Sequence, residues 1–306
     1  MPKKIWIVGC GDVGRRLSQL YLSEFDNISI QAVVQSDASV TACNKLGLET
    51  CQINLDHSLV QAFNESEFDG SWLFYFAPPP SEGKHDSRLK RFLSKTLGGA
   101  DNTPSRIVLI STTGVYGDSQ GEWIDETTPT NPVAERVYRR LSAEDALKTW
   151  AKKTGKEYMI LRVPGIYAQD RLPVARLQKG LPVVNQAEAG FTNRIHADDL
   201  AQACLLAMNC SHKNEIINIA DGNPSTMTDY FNQVADYADL PRPPQISLQD
   251  AQQTLSAGMV SYLKESRRIK NTKMLELLKI KLKYPDLKTT LKTTTPSNQT
   301  CGSTRE

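Results

Sequence analysis

Short apolar runs separated by amphipathic stretches dominate the first 165 positions. Residues 5–8, 28–34, 49–53, 71–76, 107–110 and 158–163 each read as a strand, and WLFYF at 72–76 is apolar throughout, as expected for a strand covered on both faces. Between them helical spacing runs from Val13 to about Ser23, over 40–46 with Gly47 as C-cap, over 59–63, over 86–97 up to the glycine pair at 98–99, and over 133–154. Strand and helix in alternation predict an α/β fold, a doubly wound parallel sheet with helices on both faces. From Tyr167 the pattern loosens. Residues 171–181, 198–208 and 229–238 read as helices, 193–196 as a short strand or turn, 216–219 as a strand, and PRPP at 241–244 as a turn. The division predicted is a dinucleotide-sized domain over 1–165, its sheet completed by parts of 190–220, a smaller α+β lobe over 166–288, and a disordered tail over 289–306.

Composition narrows the setting without naming a chemistry. With 306 residues and a formal net charge of +2, the chain is ordinary for a globular protein and shows no bias toward an acidic partner. Its six cysteines (10, 43, 51, 204, 210 and 301) form no CxxC pair and no Cys/His cluster, which predicts reduced thiols, a cytoplasmic setting and no metal site. No apolar run approaches the roughly 18–20 residues that cross a bilayer, so no membrane partner is expected. Residues 264–288 carry nine Lys/Arg against three Asp/Glu, but without interleaved aromatic rings this reads as a solvated amphipathic helix rather than a nucleic-acid surface.

Ile5–Leu17 carries the strongest chemical signal: an apolar strand, then Gly9, Gly11 and Gly14, then a helix. Gly9 makes the tight turn, Gly11 lets a pyrophosphate approach the backbone, and Gly14 lets the helix pack on the strand; the helix N-terminus, with Asp12 and Val13 in its first turn, then faces the phosphates. Gln35 and Ser36 end the second strand, where this fold reads the adenosine ribose; neutral donors there, with Asp37 slightly late, lean toward NADP over NAD. Asp56, closing the third strand, either sits near the adenine or serves a strand-end turn. Ala77, Pro78 and Pro79 follow the fourth strand at the mouth of the same crevice.

Six landmarks in order, GCGDVG, FAPPP, ISTTGVYGD, LRVPGIYAQDR, RIHADDLA and RRIKNTKMLELL…YP, resemble the short-chain dehydrogenases/reductases. The resemblance runs from Ile5 to about Leu287 and is closest to the atypical extended branch, the nucleoside-diphosphate-sugar epimerase-like proteins. It implies a Rossmann domain with a substrate lobe, a nicotinamide cofactor (NADP or NAD), and chemistry at a carbonyl or alcohol carbon. It also implies a Ser or Thr that bonds the reacting oxygen, here Thr112, and a Tyr-x-x-x-Lys helix that shuttles the proton. Pro164 is expected to leave neighbouring backbone free to meet the nicotinamide amide.

The helix that should hold Tyr-x-x-x-Lys reads AERVYRRLSAEDAL. Counted back from Glu144, Arg136 takes the Tyr place and Arg140 the Lys place; counted from Tyr138, Ser142 takes the Lys place. Tyr138 and Arg136 point about 200° apart on a helix, so both cannot face one pocket. Either Tyr138 reaches the site, helped by Arg139 or Arg140, or proton transfer by tyrosine is lost. The catalytic candidates are Thr112, Tyr138 and Arg140. Arg171 and Arg194 are candidate clamps for a substrate pyrophosphate; His196 reads as structural, and Asp198 and Asp199 as helix caps. The expected activity is an NAD(P)-dependent oxidoreductase or epimerase acting on a small molecule such as a nucleotide sugar, as monomer or homodimer. The competing expectation is a non-catalytic NADP(H)-binding redox sensor.

Overall fold

The computed structural model describes residues 4–57, 63, 67–97, 102–255, 260, 262–263 and 265–292. The expected helix over 59–63 (Phe63 apart), the glycine pair at 98–99 and the tail beyond 292 lie outside the described residues.

In chain order the first twelve strands are β1 (Lys4–Val8), β2 (Ser29–Val34), β3 (Glu49–Gln52), β4 (Trp72–Tyr75), β5 (Arg106–Thr112), β6 (Trp123–Ile124), β7 (Glu157–Val163), β8 (Gly165–Tyr167), β9 (Val183–Val184), β10 (Phe191–Thr192), β11 (Arg194–His196) and β12 (Glu215–Asn218). Seven of them form one parallel sheet in the order β12-β7-β5-β4-β1-β2-β3. The helices before and around it are α1 (Asp12–Glu24), α2 (Asp37–Asn44), α3 (Ser87–Arg91), α4 (Glu135–Thr154), α5 (Val174–Gln178), α6 (Ala197–Asn209) and α7 (Met227–Tyr237).

Alternation along each strand splits the core into two layers. Ile5 and Ile7 of β1, Val108 of β5 and Met159 and Leu161 of β7 pack with Leu17, Tyr21, Leu200 and Cys204 of α1 and α6. Trp6 and Val8, Ile107 and Leu109, and Ile160 pack on the other face with Phe92, Leu147 and Trp150. Both faces are covered, which is why the strands read as continuous apolar runs. The chain winds outward from β1 through β2 to β3, then returns to β4 on the other side of β1. That reversal opens a crevice beyond the carboxyl ends of β1 and β4, where open α/β sheets take their ligands.

Four sequence expectations need correction. The stretch 86–97 is not one α-helix: α3 passes into a wider π turn, Phe92–Thr96, which keeps Phe92 and Leu93 in the core. Residues 171–181 hold only the short α5, because Pro173 and Pro182 bracket it. The basic stretch 264–288 is not a single solvated helix. Arg268–Ile269 pairs parallel with β6, Thr272–Leu278 is a separate helix with Met274 fully buried, and Lys279 in the left-handed region ends it. The first residues of the expected tail belong to a helix, Leu287–Lys292, with Thr290 buried.

Candidate functional site

The glycine turn after β1 is shaped by its neighbours. Gly9 has φ +85°, and a Cβ there would lie 2.4 Å from the Ala77 nitrogen, so the proline run after β4 presses directly on this turn. The strand ends are tied by Gly9 N–H to Val33 O (2.9 Å) and Ala77 N–H to Val8 O (2.9 Å). Gly14 would bring a Cβ to 3.1 Å from Ile7 and Cys10, which is close helix–strand packing. Gly11 is different: a Cβ there meets only Gly9 O, at 4.0 Å. The Arg15 N–H makes the bond to Gly11 O (3.0 Å), so the preceding N–H groups of Asp12, Val13 and Gly14 are the unsatisfied donors of α1's first turn, facing that open space. The Asp12 carboxylate would oppose an anion, but it is paired with Arg171 (3.1 Å) and with Arg16 (3.1 Å), which also holds Asp170 and Asp198. An open cradle, a free helix N-terminus and a paired acid fit a dinucleotide pyrophosphate.

At the outer end of the crevice Gln35, Ser36 and Asp37 are exposed. Ser36 caps α2, accepting from Ser39 N–H (3.3 Å), and Asp37 accepts from Gln52 (2.8 Å). Asp56 is engaged by Arg88 Nε at 2.6 Å, which holds its carboxyl below the usual range, and Arg88 also donates to Pro78 O (3.0 Å). Arg88 therefore laces the ends of β3 and β4 together on the adenosine side.

Inward along the same sheet edge lies a cavity of about 740 Å³. Pro79, the end of β5 with Thr112, helix α4 through Arg136 and Arg140, Pro164 and β8, Arg194 of β11, and Tyr230 of α7 all line it. Thr112 caps the turn that follows β5, its Oγ1 accepting from Gly114 N–H at 3.1 Å. Arg140 donates to Ile110 O at 3.2 Å, and burial lowers its guanidinium pKa. Asp86 stands near it; burial raises the Asp86 carboxyl, opposed by the Leu89 N–H bond and by the charge of Arg140.

Of the two registers for α4, the cavity takes the one counted from Glu144. Arg136 and Arg140 face it, while Tyr138 is carried to the outer surface, where the Lys84 ammonium sits 5.2 Å from its ring. Tyr138, expected among the catalytic residues, is thus not brought to Thr112.

Behind the cavity floor lies a buried network that the residue-by-residue reading missed. Glu144, fully buried, accepts from Ser111 Oγ (2.6 Å) and from Arg162 Nε (3.1 Å) and Nη2 (2.8 Å). Arg162 in turn lies 4.8 Å from the ring of Tyr116, whose hydroxyl donates to Asn218 at 2.9 Å. The signal was present: Arg162 interrupts an otherwise apolar strand, and a cation there demands an acid behind it. The network fixes α4 against β5 and β7 and so holds Thr112, Arg136 and Arg140 in register.

The remaining candidates divide. Arg194 lines the cavity, held by Ser225 (2.8 Å), Thr192 (2.8 Å) and Thr226 O (3.2 Å). Arg171 does not line it and stands at the cradle on Asp12. His196 caps α6 by accepting from Asp198 N–H (3.2 Å) and stacks on Tyr284 at 3.7 Å. Asp198 and Asp199 are therefore not the caps. They sit within the first turn, where Asp198 pairs with Arg16 (2.6 Å) and Asp199 accepts Lys283 and Tyr284 N–H (2.8 and 2.9 Å). Among the described residues no three metal-ligating side chains gather, and no helix is long and apolar enough to cross a membrane.

Comparison with known proteins agrees with this architecture. Residues 93–220 match the NAD dependent epimerase/dehydratase family. Protein YeeZ of Escherichia coli K12 is 27% identical over 248 residues, covering 79% of this chain and 86% of the relative. A "Putative UDP-glucose 4-epimerase" of Methanocaldococcus jannaschii is 27% identical over 139 residues, 42% of this chain and less than half, 45%, of that protein. A functionally unknown conserved protein from Silicibacter pomeroyi DSS superposes with TM-score 0.80 at 26% identity, covering 94% of this chain and 96% of that one. UDP-glucuronic acid 4-epimerase from Bacillus cereus, solved with UDP-glucuronic acid and NAD, superposes with TM-score 0.73 at 16% identity over 94% of this chain and 96% of that one, a likeness of fold. Landmarks, sheet order and the match over residues 93–220 agree: the chain is similar to the NAD dependent epimerase/dehydratase family and shares its Rossmann-type α/β fold.

Proposed function

We propose that this chain binds NADP(H) or NAD(H) along the α1 cradle and acts, as an epimerase-like oxidoreductase, on a nucleotide sugar or similar carbonyl or alcohol compound in the adjoining cavity. The observation that carries this reading is the shared edge of the sheet: Gly11 leaves space for phosphates at one end, and Thr112 lines a cavity of substrate size at the other. The UDP-sugar names among relatives and neighbours support the substrate class.

When bound, the nicotinamide supplies a hydride acceptor or donor. The chain's residues do the rest. Asp12, Val13 and Gly14 N–H groups hold the pyrophosphate. Gln35 and Ser36 stand at the ribose end as neutral donors, which favours NADP. Arg140 occupies the place that the resemblance gives to a ribose-holding lysine. Thr112 Oγ1 donates to the reacting oxygen while still accepting from Gly114 N–H. Arg136 in the tyrosine place neither accepts nor releases a proton at neutral pH, so the proton lost by an alcohol or gained by a carbonyl must be exchanged with another group, such as solvent.

That same substitution favours a second reading, a dinucleotide-binding sensor without turnover. Titration of the full chain with NADH, NADPH and their oxidised forms tests the first claim, with Gly11→Val as control; no binding by the wild type overturns it. Absorbance of the reduced nicotinamide after adding UDP-glucose to the chain loaded with oxidised cofactor then separates enzyme from sensor.

A further inference from the structure

The cavity holds more positive charge than the surrounding protein neutralises. Arg136, Arg140, Arg194 and Arg267 line it with a single carboxylate, Glu265. Arg267 is engaged by Glu265 at 2.8 Å and by Gly117 O. Among the described residues no carboxylate comes within 4.0 Å of Arg136, Arg140 or Arg194. Arg194 is held by hydroxyl and carbonyl dipoles and by the face of Tyr230 at 4.4 Å. Arg140 has its bond to Ile110 O.

Arg136 is the outlier. Its guanidinium lies over the Tyr262 ring at 4.1 Å, and its Nη1 is buried with no hydrogen-bond partner in the described structure. A charged donor removed from water without an acceptor is costly, and a guanidinium fork matches a carboxylate or phosphate edge. Stacking takes up one face of the guanidinium and leaves Nη1, on its edge, without an acceptor. Arg136 lies on the cavity side of α4, one turn before Arg140 and on the same wall as Thr112.

We propose that the compound seated beside Thr112 carries an anionic group, a carboxylate or a phosphate, that docks on Arg136. The site is built for an acidic ligand rather than its neutral counterpart. This rests on the reading above in taking the cavity as the substrate site; the anion site itself does not need the dinucleotide.

The test is calorimetry on the full chain, with and without NADP, using UDP-glucose, UDP-glucuronic acid, D-glucuronate and inorganic phosphate. UDP-glucuronic acid and UDP-glucose differ at one carbon, a carboxylate against a hydroxymethyl group. The expected result is binding about tenfold tighter for the acid, as one charge-assisted contact provides. Arg136→Gln should shrink that preference to within about twofold, and Arg136→Lys should restore part of it through charge alone. Binding of D-glucuronate marks the ligand group as a carboxylate; phosphate binding alone, lost in Arg136→Gln, marks it as a phosphate. The proposal is overturned if none of the anions binds, or if the two sugar nucleotides bind equally and phosphate not at all. It is also overturned if Arg136→Gln leaves the preference for the acid, or the binding of phosphate, intact. Anion binding by a chain that takes up no NADP would instead refute the dinucleotide reading and leave this one standing.

Discussion

Arg136 and Tyr138, two positions apart on α4, leave the helix on opposite sides. Arg136 lines the cavity beside Thr112, and Tyr138 stands outside with the Lys84 ammonium over its ring. A rotation of about 100° per residue puts them about 200° apart, so bringing Tyr138 to Thr112 would turn Arg136 and Arg140 away. The cavity-facing side of this helix therefore carries two guanidinium groups where the family resemblance would put a phenol and an amine.

Substitutions on the two faces should differ accordingly. Tyr138→Phe is expected to leave the NADPH dissociation constant within about twofold, since a half-exposed ring loses only a solvent-facing hydroxyl. Arg140→Gln should weaken binding by about tenfold through loss of one charge-assisted contact. Fluorescence titration of the reduced cofactor measures both, and a larger effect of Tyr138→Phe than of Arg140→Gln would refute this orientation of α4.

The two glycines flanking Cys10 should also fail differently. Gly9→Ala places a Cβ 2.4 Å from the Ala77 nitrogen at φ +85°, and should cost about 2 kcal/mol or more of folding stability. Gly11→Val projects into open space and should leave the urea midpoint nearly unchanged, yet weaken dinucleotide binding by about tenfold or more. Equal loss of stability in both variants would show that Gly11 serves packing.

The sheet and the cradle were legible because each rests on local pattern: apolar runs mark strands covered on both faces, and the glycine spacing is a backbone requirement. The cavity was less so. Thr112 could be placed four residues before Tyr116, and Arg140 by spacing from Glu144, but choosing between Arg136 and Tyr138 needed the rotation of α4, which the buried Glu144–Arg162 contact fixes across 18 residues of chain. Arg171 illustrates the limit. As an arginine after strand and loop it resembled a substrate clamp, and only the return of the chain to α1 shows that its partner is Asp12.

That contact should be expensive to break. Both partners are buried, and Glu144→Ala would leave Arg162 without its acid and Ser111 without its acceptor. Loss of one partner of such a pair typically costs about 3–5 kcal/mol. Urea unfolding should show this drop for Glu144→Ala, whereas Asp236→Ala, which breaks the exposed Arg242 pair, should leave the urea midpoint nearly unchanged. Similar losses in the two variants would deny the Glu144 network its role in holding α4.

His196 gives the chain a pH dependence of known sign. Burial between Tyr167 and Tyr284, helped by the charges of Arg16 and Lys283 and opposed by Asp198, pulls the imidazole from 6.5 down to about 4. Between those values the unfolded chain binds a proton that the folded chain refuses. Stability from this residue is therefore complete above pH 6.5 and lost as pH falls toward 4. Asp221 works against it: burial raises its carboxyl from 3.8 to about 7, so in that window the folded state holds the proton and stability falls as pH rises. Removing His196 should expose the Asp221 slope. His196→Asn keeps a side-chain oxygen for the α6 cap, so its stability should decline from about pH 4 to about pH 7. The gap to wild type should be widest above pH 6.5 and close as pH approaches 4. Urea denaturation across this range measures both profiles, and a gap that does not change with pH would mean that the folded chain protonates His196 as readily as the unfolded one.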